Sequence, residues 1–334
     1  MNYDVVGIGN ALVDIQTQVT DEQLAEFNFP KGGMTLSGPA EQEEVLKKLK
    51  EHSVSICSGG SAANTIHGIG ALGGRSYYFG RVANDEYGIH YSQDMTDCNV
   101  GFSGPDADDN GTGTSVVLIT PDAQRTMITN LGISTALHPE NVDETIIDGS
   151  KVVYIEGYLW TGDETRSAGR KVAELAKKHN IQVSFTLSDV FVVNSFHQEI
   201  VDFITSHVNI LFCNEVEGLA LAQTDNPEEA FHKIHEMCNT LFFTRGKDGV
   251  WASDKKGTKI HVKGYEVNAI DTTGAGDLFA AGALTGIVNN KNLEECSIIG
   301  NYCAAQVVTH LGARLPSHSH TDIDKIIKEF QEKE

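Results

Sequence analysis

The stretch of sequence that decides the fold is Asp271-Thr272-Thr273-Gly274-Ala275-Gly276-Asp277. An apolar run over residues 278–284 follows at once, so the pattern predicts a strand end, a glycine turn and the start of a helix. The glycines permit a sharp turn and let a ligand approach the backbone closely. The backbone amides of residues 274–277 would then be free donors at a helix N-terminus, where the helix dipole favours an anion.

Asp277 is the unusual member of this stretch. A site that only holds a phosphate gains nothing from a carboxylate at its mouth. Phosphoryl transfer to a hydroxyl needs both an anion cradle and a nearby proton acceptor. The stretch therefore indicates phosphoryl transfer. Taken alone, it leaves open an aspartate that only caps the helix and stabilises it by about 1 kcal/mol.

Length and composition limit the class of protein. A chain of 334 residues suits one large α/β domain, or one domain with a small insert. The net charge of −21 argues against nucleic acid or an anionic membrane as the main partner. We expect no signal peptide and no membrane span, because the first apolar run lacks basic flanks and contains Asp14. Six scattered cysteines without a C-x-x-C pair predict reduced thiols in a cytoplasmic protein.

Apolar strands and amphipathic helices alternate regularly from residue 150 onward. The strands are apolar on both faces, which is typical of a parallel sheet covered by helices. Residues 3–9 form a further strand candidate. Two less regular regions interrupt the pattern at 19–38 and 99–130, and the second contains a predicted hairpin of residues 114–120 with 125–129. The sequence therefore predicts one main α/β domain with a β-rich insertion.

Residues 68–73 match the G-x-G-x-x-G pattern of dinucleotide sites letter for letter. They end a helical stretch, whereas a dinucleotide site requires a strand, a turn and then a helix. Small residues for close helix packing explain this match better. The chain contains no G-x-x-x-x-G-K-[ST] sequence, which excludes a P-loop.

Other short motifs place polar groups where ligands bind in α/β sheets, each with a plainer alternative. The stretch 58–64 has a glycine pair before a helix start and ends at Asn64, which suits vicinal hydroxyls, although a simple glycine turn capped by Ser61 is the commoner structure. Asn10 and Asp14 follow the first strand, where Asp14 could accept hydrogen bonds from two sugar hydroxyls or only from its own backbone.

Two further motifs follow later strands. Asn214 and Glu217 could hold magnesium through water molecules, or could form only a capping box. Residues 244–249 offer amides, a hydroxyl and two cations to a triphosphate, or form only a surface hairpin turn.

Taken together, these segments resemble the ribokinase-like family of carbohydrate and nucleoside kinases, the PfkB family. Residues 59–64 are similar to its N-terminal motif and 271–277 to its C-terminal motif, and the resemblance covers nearly the whole chain. Four stretches look most like the adenosine kinase branch: 7–15, 110–114, Arg125 followed by 130–132, and 187–191 ahead of 214–215. Residues 31–36 depart from the animal adenosine kinase pattern in the expected base-facing lid.

The resemblance implies a three-layer α/β/α fold with a mostly parallel central sheet and a small β-sheet lid. Residues 1–334 would form a single kinase domain, with a core of 1–14, 39–97 and 131–334 and lid insertions at about 15–38 and 98–130. It also implies ATP and Mg²⁺, a small-molecule acceptor, and a monomer or a lid-mediated homodimer. Whether a potassium ion lies beside the Asp271 loop stays open.

By the same resemblance, Asp277 is the catalytic base, and the anion hole for the γ-phosphate consists of Gly274, Ala275 and Gly276. Arg125 would come down with the lid, and Glu217 would bind magnesium through water. The residues that would bind the sugar hydroxyls are Asn10, Asp14, Gly60, Ser61 and Asn64. The ATP site would be lined by Asn214, Thr244, Gly246, Lys247 and Asn301.

The function implied is an ATP-dependent kinase of the primary hydroxyl of a ribosyl group, with a purine nucleoside such as adenosine as the acceptor. A sugar kinase for ribose, fructose or a 2-keto-3-deoxy sugar acid is the nearest alternative. A large apolar lid pocket would favour the nucleoside and a small charged one the sugar. A sensor without catalysis would not need Asp277.

Overall fold

The computed structural model describes residues 2–50, 52–106, 110–122, 124–316 and 322–332. Its strands, in chain order, are β1 Tyr3–Ile8, β2 Leu12–Gln18, β3 Met34–Leu36, β4 Ser55–Gly59, β5 Ser76–Phe79, β6 Val100–Phe102, β7 Gly113–Ile119, β8 Arg125–Asn130, β9 Ser150–Glu156, β10 Gln182–Thr186, β11 Ile210–Asn214, β12 Thr240–Thr244, β13 Val250–Asp254 and β14 Lys259–Val262.

The α-helices, in chain order, are α1 Asp21–Ala25, α2 Pro39–Lys48, α3 Ser61–Ala71, α4 Glu86–Asp97, α5 Glu144–Asp148, α6 Asp163–Lys178, α7 Val190–Ser195, α8 His197–His207, α9 Glu215–Ala222, α10 Pro227–His235, α11 Ala275–Val288, α12 Leu293–Val307 and α13 Ile323–Gln331. Short 3₁₀ turns occur at Gly132–Ala136, Pro139–Asn141, Gly157–Thr161 and Gly246–Asp248.

Among the described residues, nine strands form a large sheet in the order β14-β13-β12-β11-β10-β9-β1-β5-β6. The pairs from β12 to β6 are parallel, and β13 and β14 extend one edge in antiparallel fashion. Neighbouring residues such as Val152 and Val153 point to opposite faces and are both buried. This sheet confirms the predicted α/β class, because a parallel sheet needs helices on both faces.

Helices cover the large sheet on both sides and complete three layers. On one face α3, α11 and α12 contribute to a core that includes Ile66, Leu278 and Ile299. On the other face α6, α8 and α10 contribute Val172, Phe203 and Ile234 to a second core.

A five-stranded sheet, in the order β3-β8-β7-β2-β4 across the described residues, forms the lid. The predicted hairpin of β7 with β8 is confirmed, with Ile119 paired to Arg125. The helix α2 packs on the outer face of this sheet, where Val45, Val116 and Ile128 form a separate small core. The lid is therefore held together by its own apolar contacts.

Two strands depart from the boundaries predicted for the lid. The strand β4 falls in a segment predicted as core, yet it pairs with β2 of the lid, with Asp14 opposite Cys57. The strand β6 falls in a segment predicted as lid, yet it pairs with β5 of the large sheet. Strands of five and three residues carry little pattern of their own, and partners distant in sequence decide their sheet.

The helices α3 and α11 lie against each other through small residues. A Cβ added to Gly68 would lie 2.7 Å from Leu278 Cδ1 and 2.8 Å from Ala281 Cβ. Thr65 Oγ1 also donates a hydrogen bond to the carbonyl oxygen of Asp277 at 3.1 Å. The interpretation of residues 68–73 as a close-packing surface is therefore confirmed. The dinucleotide interpretation is wrong, because these residues lie at the end of α3 and do not directly follow a strand.

Short connectors join the lid to the core. Residues 9–11 link β1 to β2, Gly60 alone links β4 to α3, and Leu131 alone links β8 to the turn that begins at Gly132. Gly60 has φ +93°, and a Cβ there would collide with the carbonyl oxygen of Asn10, so the close approach of these two connectors requires glycine.

All six cysteines are free thiols, as the absence of a C-x-x-C pair predicts. In the part of the chain that the structure describes, no helix is both long and apolar enough to cross a membrane.

Candidate active site

A cleft, open to solvent at its mouth, lies between the carboxyl ends of the large-sheet strands and the inner face of the lid. We call its two sides the core wall and the lid wall. Residues of the core wall include Asn10, Ser61, Asn64, Glu156, Asn214, Glu217, Thr244, Gly274, Ala275, Gly276 and Asp277. The lid wall includes Leu12, Asp14, Met34, Leu36, Ser115, Arg125, Met127, Thr129 and Leu131.

The turn before α11 supplies the cradle that the sequence predicts. Gly274 has φ +74°, and an added Cβ would lie 2.6 Å from the carbonyl oxygen of Ala313, so both its conformation and its surroundings require glycine. The sequence predicts that the Ala275 amide is a free donor. It instead donates a long hydrogen bond, of 3.3 Å, to the carbonyl oxygen of Thr272. Within the described residues, no hydrogen bond engages the amides of Gly276 and Asp277, which remain available to an anion.

The predicted strand end before this turn is wrong. The strand β14 ends at Val262, and the following residues reach Gly274 without regular structure. The buried carboxylate of Asp271 holds the segment instead. It accepts hydrogen bonds from the amide of Thr273 at 2.9 Å, from the Thr273 hydroxyl and from the amide of Gly312 at 3.0 Å.

The carboxylate of Asp277 faces the cleft and is oriented by α3. Ser61 Oγ donates to Asp277 Oδ1 at 2.7 Å and Asn64 Nδ2 donates to Oδ2 at 3.0 Å. Burial raises the pKa of Asp277, and the hydrogen bonds from Asn64 and Ser61 oppose the rise. Gly274 occupies the N-cap of α11 without a side-chain cap, so Asp277 is bound to α3 and does not act as the helix cap.

The groups expected to bind hydroxyls meet beside Asp277. Asn10 Oδ1 is buried and has no hydrogen-bond partner among the described residues, so it is an acceptor left for a ligand. Asp14 reaches the same cleft from β2 and is 8% exposed. Burial raises the pKa of Asp14 to about 7, against the opposing charges of Arg125 and Arg314.

Glu156 is a cleft residue that the sequence reasoning missed. It ends β9, and its carboxylate accepts from the amides of Asn10 and Ala62, both at 2.7 Å. It therefore fastens the end of β1 to the start of α3. Burial raises its pKa to about 7, although the two amides oppose the rise. An apolar strand that ends in a carboxylate was the available signal.

Asn214 and Glu217 form the capping box that was the plainer alternative. Each side chain bonds the other's backbone amide, at 2.8 and 3.0 Å, and Asn214 Nδ2 also donates to Glu217 Oε1 at 2.8 Å. Both residues also line the cleft. Burial raises the pKa of Glu217 to about 7. No group of three or more His, Cys, Asp or Glu side chains in the described residues could hold a metal ion directly.

The residues expected at the ATP site separate into two groups. Thr244 lines the cleft, whereas Gly246, Lys247 and Asn301 lie outside it. Residues 245–249 form the turn between antiparallel β12 and β13, which is the hairpin alternative. Asn301 is buried and its amide nitrogen donates to the carbonyls of Val262 and Lys263 at 3.1 and 2.9 Å, so it supports the loop after β14.

A second unpredicted contact comes from Arg314, in the loop after α12. Its Nε donates to Asn64 Oδ1 at 3.1 Å, and its guanidinium pairs with Asp94 of α4. The guanidinium also lies over the ring of Tyr91, 5.3 Å from the centroid. Neither Arg314 nor Asp94 lines the cleft, so this arginine touches the site only through Asn64.

The lid wall combines two opposite charges and two hydroxyl side chains, Ser115 and Thr129, with apolar side chains. Arg125 and Asp14 project from β8 and β2, and the apolar side chains beside them are Leu12, Met34, Leu36, Met127 and Leu131. The core wall opposite presents mainly hydrogen-bonding groups. The cleft therefore has one polar side next to Asp277 and one side that suits a flat apolar group.

The cleft lies at the carboxyl ends of a parallel sheet and contains a carboxylate beside free helix-terminal amides. An enzyme that transfers a phosphoryl group to an alcohol needs these two groups. The fold and the cleft thus define a phosphotransferase. The family model of the pfkB carbohydrate kinases matches residues 33–320. The chain belongs to this family.

Individual relatives agree with this class over nearly the full chain. Adenosine kinase from Sinorhizobium meliloti is 36% identical with a TM-score of 0.91, covering 96% of this chain and 98% of its own. A protein from Rhizobium etli described as a probable sugar kinase is 34% identical with a TM-score of 0.92, covering 98% and 99%. Adenosine kinase from Saccharomyces cerevisiae is 28% identical, covering 95% of this chain and 98% of its own.

Proposed function

We propose that this enzyme transfers the γ-phosphate of ATP to the primary hydroxyl of a ribosyl group, with a purine nucleoside such as adenosine as the acceptor. The observation that carries the proposal is the two-sided cleft. Its core wall offers hydrogen-bonding groups beside Asp277, and its lid wall offers the apolar area that a nucleobase needs and a free sugar does not. The similarity to two adenosine kinases supports the same acceptor.

In this proposal Asp277 accepts the proton of the attacking hydroxyl. Its carboxylate is held by Ser61 and Asn64 and is therefore fixed in position. In a loose transition state the hydroxyl loses its proton late, so position matters more than basicity. The amides of Gly276 and Asp277 stabilise the transferred group, a contribution of about 3 kcal/mol per donor in comparable sites.

Hydroxyls of the acceptor are held by Asn10, Asp14 and Asn64 in the same proposal. The unpartnered Asn10 Oδ1 receives one hydroxyl, and the ionised Asp14 carboxylate receives two. Gly60 leaves the space that a sugar ring requires, and Arg125 of the lid adds a positive charge near the phosphate. Closing of the lid over the acceptor excludes water and limits wasteful hydrolysis of ATP.

Magnesium and ATP use the other half of the cleft. Magnesium keeps several of its waters and needs few direct protein ligands, so the Glu217 carboxylate with its amide neighbour Asn214 fits a water-mediated ion. Bound there, the ion would neutralise charge on the phosphates. We assign three residues to the nucleotide: Thr244 at the end of β12, and Gly246 and Lys247 in the turn that follows. Asn301 acts by supporting the neighbouring loop.

The test measures ADP release with Mg-ATP against adenosine, inosine, guanosine, ribose and fructose, for the natural enzyme and for Asp277→Asn. We expect turnover with adenosine and none above background for the variant. Turnover with free sugars alone would keep the phosphotransferase and overturn the nucleoside. The similarity to a probable sugar kinase makes this the second candidate. Equal rates for the natural enzyme and the variant would overturn the role of Asp277.

A further inference from the structure

We propose that Arg314 is a positioning residue for Asp277 and acts through the side chain of Asn64. The inference rests on the proposed role of Asp277 as proton acceptor and adds a residue that lies outside the cleft. Two hydrogen bonds, one on each side of the Asn64 amide, connect the two side chains in series.

The orientation of the Asn64 amide is decided by its two partners. Its nitrogen donates to Asp277 Oδ2 at 3.0 Å, and its oxygen accepts from Arg314 Nε at 3.1 Å. A carboxylate only accepts and a guanidinium only donates. The flipped amide would set oxygen against carboxylate and N–H against guanidinium, so Arg314 selects the orientation that holds Asp277.

Arg314 is itself held on every side. Its guanidinium pairs with Asp94, donates to the carbonyl of Gly59 at 3.4 Å and lies over the ring of Tyr91. Its side chain is 10% exposed. A planar guanidinium can bond Asn64 and Asp94 at the same time, and the ammonium of lysine cannot reproduce that fork.

The loop that carries Arg314 also contacts the anion cradle. The amide of Gly312 donates to Asp271, and the carbonyl of Ala313 lies against Gly274. One short loop therefore fixes both the cradle and the carboxylate. Arg314 thus couples the position of Asp277 to the position of the glycine turn.

The charge of Arg314 also acts on Asp277 directly. It lowers the pKa of Asp277, as does Arg125, against the rise that burial causes. The other groups that act on or respond to Asp277 are the hydrogen-bond donors Ser61 and Asn64, and the acids Asp14, Glu156 and Glu217 together with the phenols Tyr154 and Tyr158.

The test compares Arg314→Met with Arg81→Met. Arg81 is a matched control, because it also joins a carboxylate, Asp106, to a backbone carbonyl, that of Ala136, and does not line the cleft. The readouts are kcat, KM for ATP, the pH profile of kcat, and the titration of the Asp277 carboxyl by ¹³C NMR in the ligand-free protein, assigned with Asp277→Asn.

For Arg314→Met we expect a fall in kcat of about 10- to 100-fold, KM for ATP within about threefold, and an Asp277 titration about one unit higher in pH. Arg81→Met should lower stability and leave the titration and the pH profile unchanged. An unchanged titration in Arg314→Met, or the same shift in Arg81→Met, would overturn the proposal.

Arg314→Lys keeps the charge and serves if Arg314→Met does not fold. We expect the midpoint of the Asp277 titration to stay close to that of the natural enzyme, because the charge remains. We expect kcat to fall, because the hydrogen bond to Asn64 is lost. Full activity in the lysine variant would overturn the role of the fork. The NMR titration needs no turnover, so absence of activity in the natural enzyme would count against the proposed function alone.

Discussion

The two walls of the cleft differ in how completely their charged groups are satisfied. In the core wall, Asp277 and Glu156 each accept two hydrogen bonds from neighbouring elements. In the lid wall, the described residues give the side chain of Asp14 no hydrogen bond, and the Arg125 guanidinium donates to Met127 Sδ at 3.9 Å. The core wall is therefore organised before a ligand arrives, whereas the lid wall leaves its charges for the ligand to satisfy.

This difference suggests a division of labour. Groups that act on the reacting atoms must be held in place before the reaction, and the core wall holds them with contacts from α3, α11 and β9. Groups that select the acceptor can adjust with it. Substitution of the core-wall carboxylate that is held in place, Asp277, should therefore change kcat, and substitutions of lid-wall groups that contact the acceptor should change acceptor KM.

Asp277→Asn gives the largest expected effect. We expect kcat to fall at least about 1000-fold, because the proposed proton acceptor is lost, while binding of the phosphate acceptor measured by calorimetry persists. Asp163→Asn, in the first turn of α6 and away from the cleft, is the control and should leave kcat unchanged. If Asp277→Asn kept a tenth of the natural kcat, Asp277 would not be the base.

Gly274→Ala should have the next largest effect, about 100-fold in kcat, with loss of about 1–2 kcal/mol of stability. The new Cβ meets the carbonyl of Ala313, and the left-handed backbone disfavours alanine. Gly276→Ala separates the causes, since a Cβ there meets nothing within 4 Å. It should fold normally and raise KM for ATP. Equal thermal stability of the two variants would contradict this account of the turn.

Asp14→Asn should raise acceptor KM about 10- to 100-fold and change kcat little, because hydrogen bonds to a carboxylate are lost from the lid wall. With a pKa of about 7, Asp14 is largely protonated below neutral pH and ionised above it. Acceptor affinity should therefore rise with pH through about 7 in the natural enzyme and stay flat in the variant. Calorimetry at several pH values measures both; a large fall in kcat would break the division between the walls.

Leu36→Ala gives the smallest effect and sharpens the acceptor assignment. We expect nucleoside KM to rise about fivefold with ribose KM unchanged, since only a nucleobase would contact Leu36 on the lid wall. Leu311→Ala is the matched control, because Leu311 is similarly exposed and lies outside the cleft. Equal changes for nucleoside and ribose in Leu36→Ala would place the base elsewhere.

The parts of the site that the sequence predicts are those with a local pattern. A glycine turn before an apolar run predicts the start of α11 and singles out Asp277. Alternating strands and helices predict the parallel sheet. Residues that follow strand ends, such as Asn10 and Asn214, then meet at one edge because parallel strands end together. The hairpin of β7 with β8 is likewise visible in its two short runs and turn.

The parts that the sequence did not predict depend on partners far away along the chain. Glu156 reaches Ala62 across 94 residues and Arg314 reaches Asn64 across 250, and neither leaves a periodic signal. The sheet membership of β4 and β6 depends on pairing in the same way. The loop before Gly274 resembled a strand end, but the Asp271 side chain holds it without sheet pairing.

The short connectors between lid and core have a mechanical consequence. The connectors that lie beside the cleft are Gly60, Leu131 and residues 9–11. Together they define a hinge axis between the lid and the core. Asp14 is two residues beyond the start of β2, roughly 7 Å from that axis, whereas Arg125 is five residues before the end of β8, roughly 17 Å away. For any rotation of the lid about this axis, Arg125 then moves more than twice as far as Asp14. If the proposed function holds, Asp14 should contact the ribose of the acceptor early in lid closure, and the charge of Arg125 should move farthest.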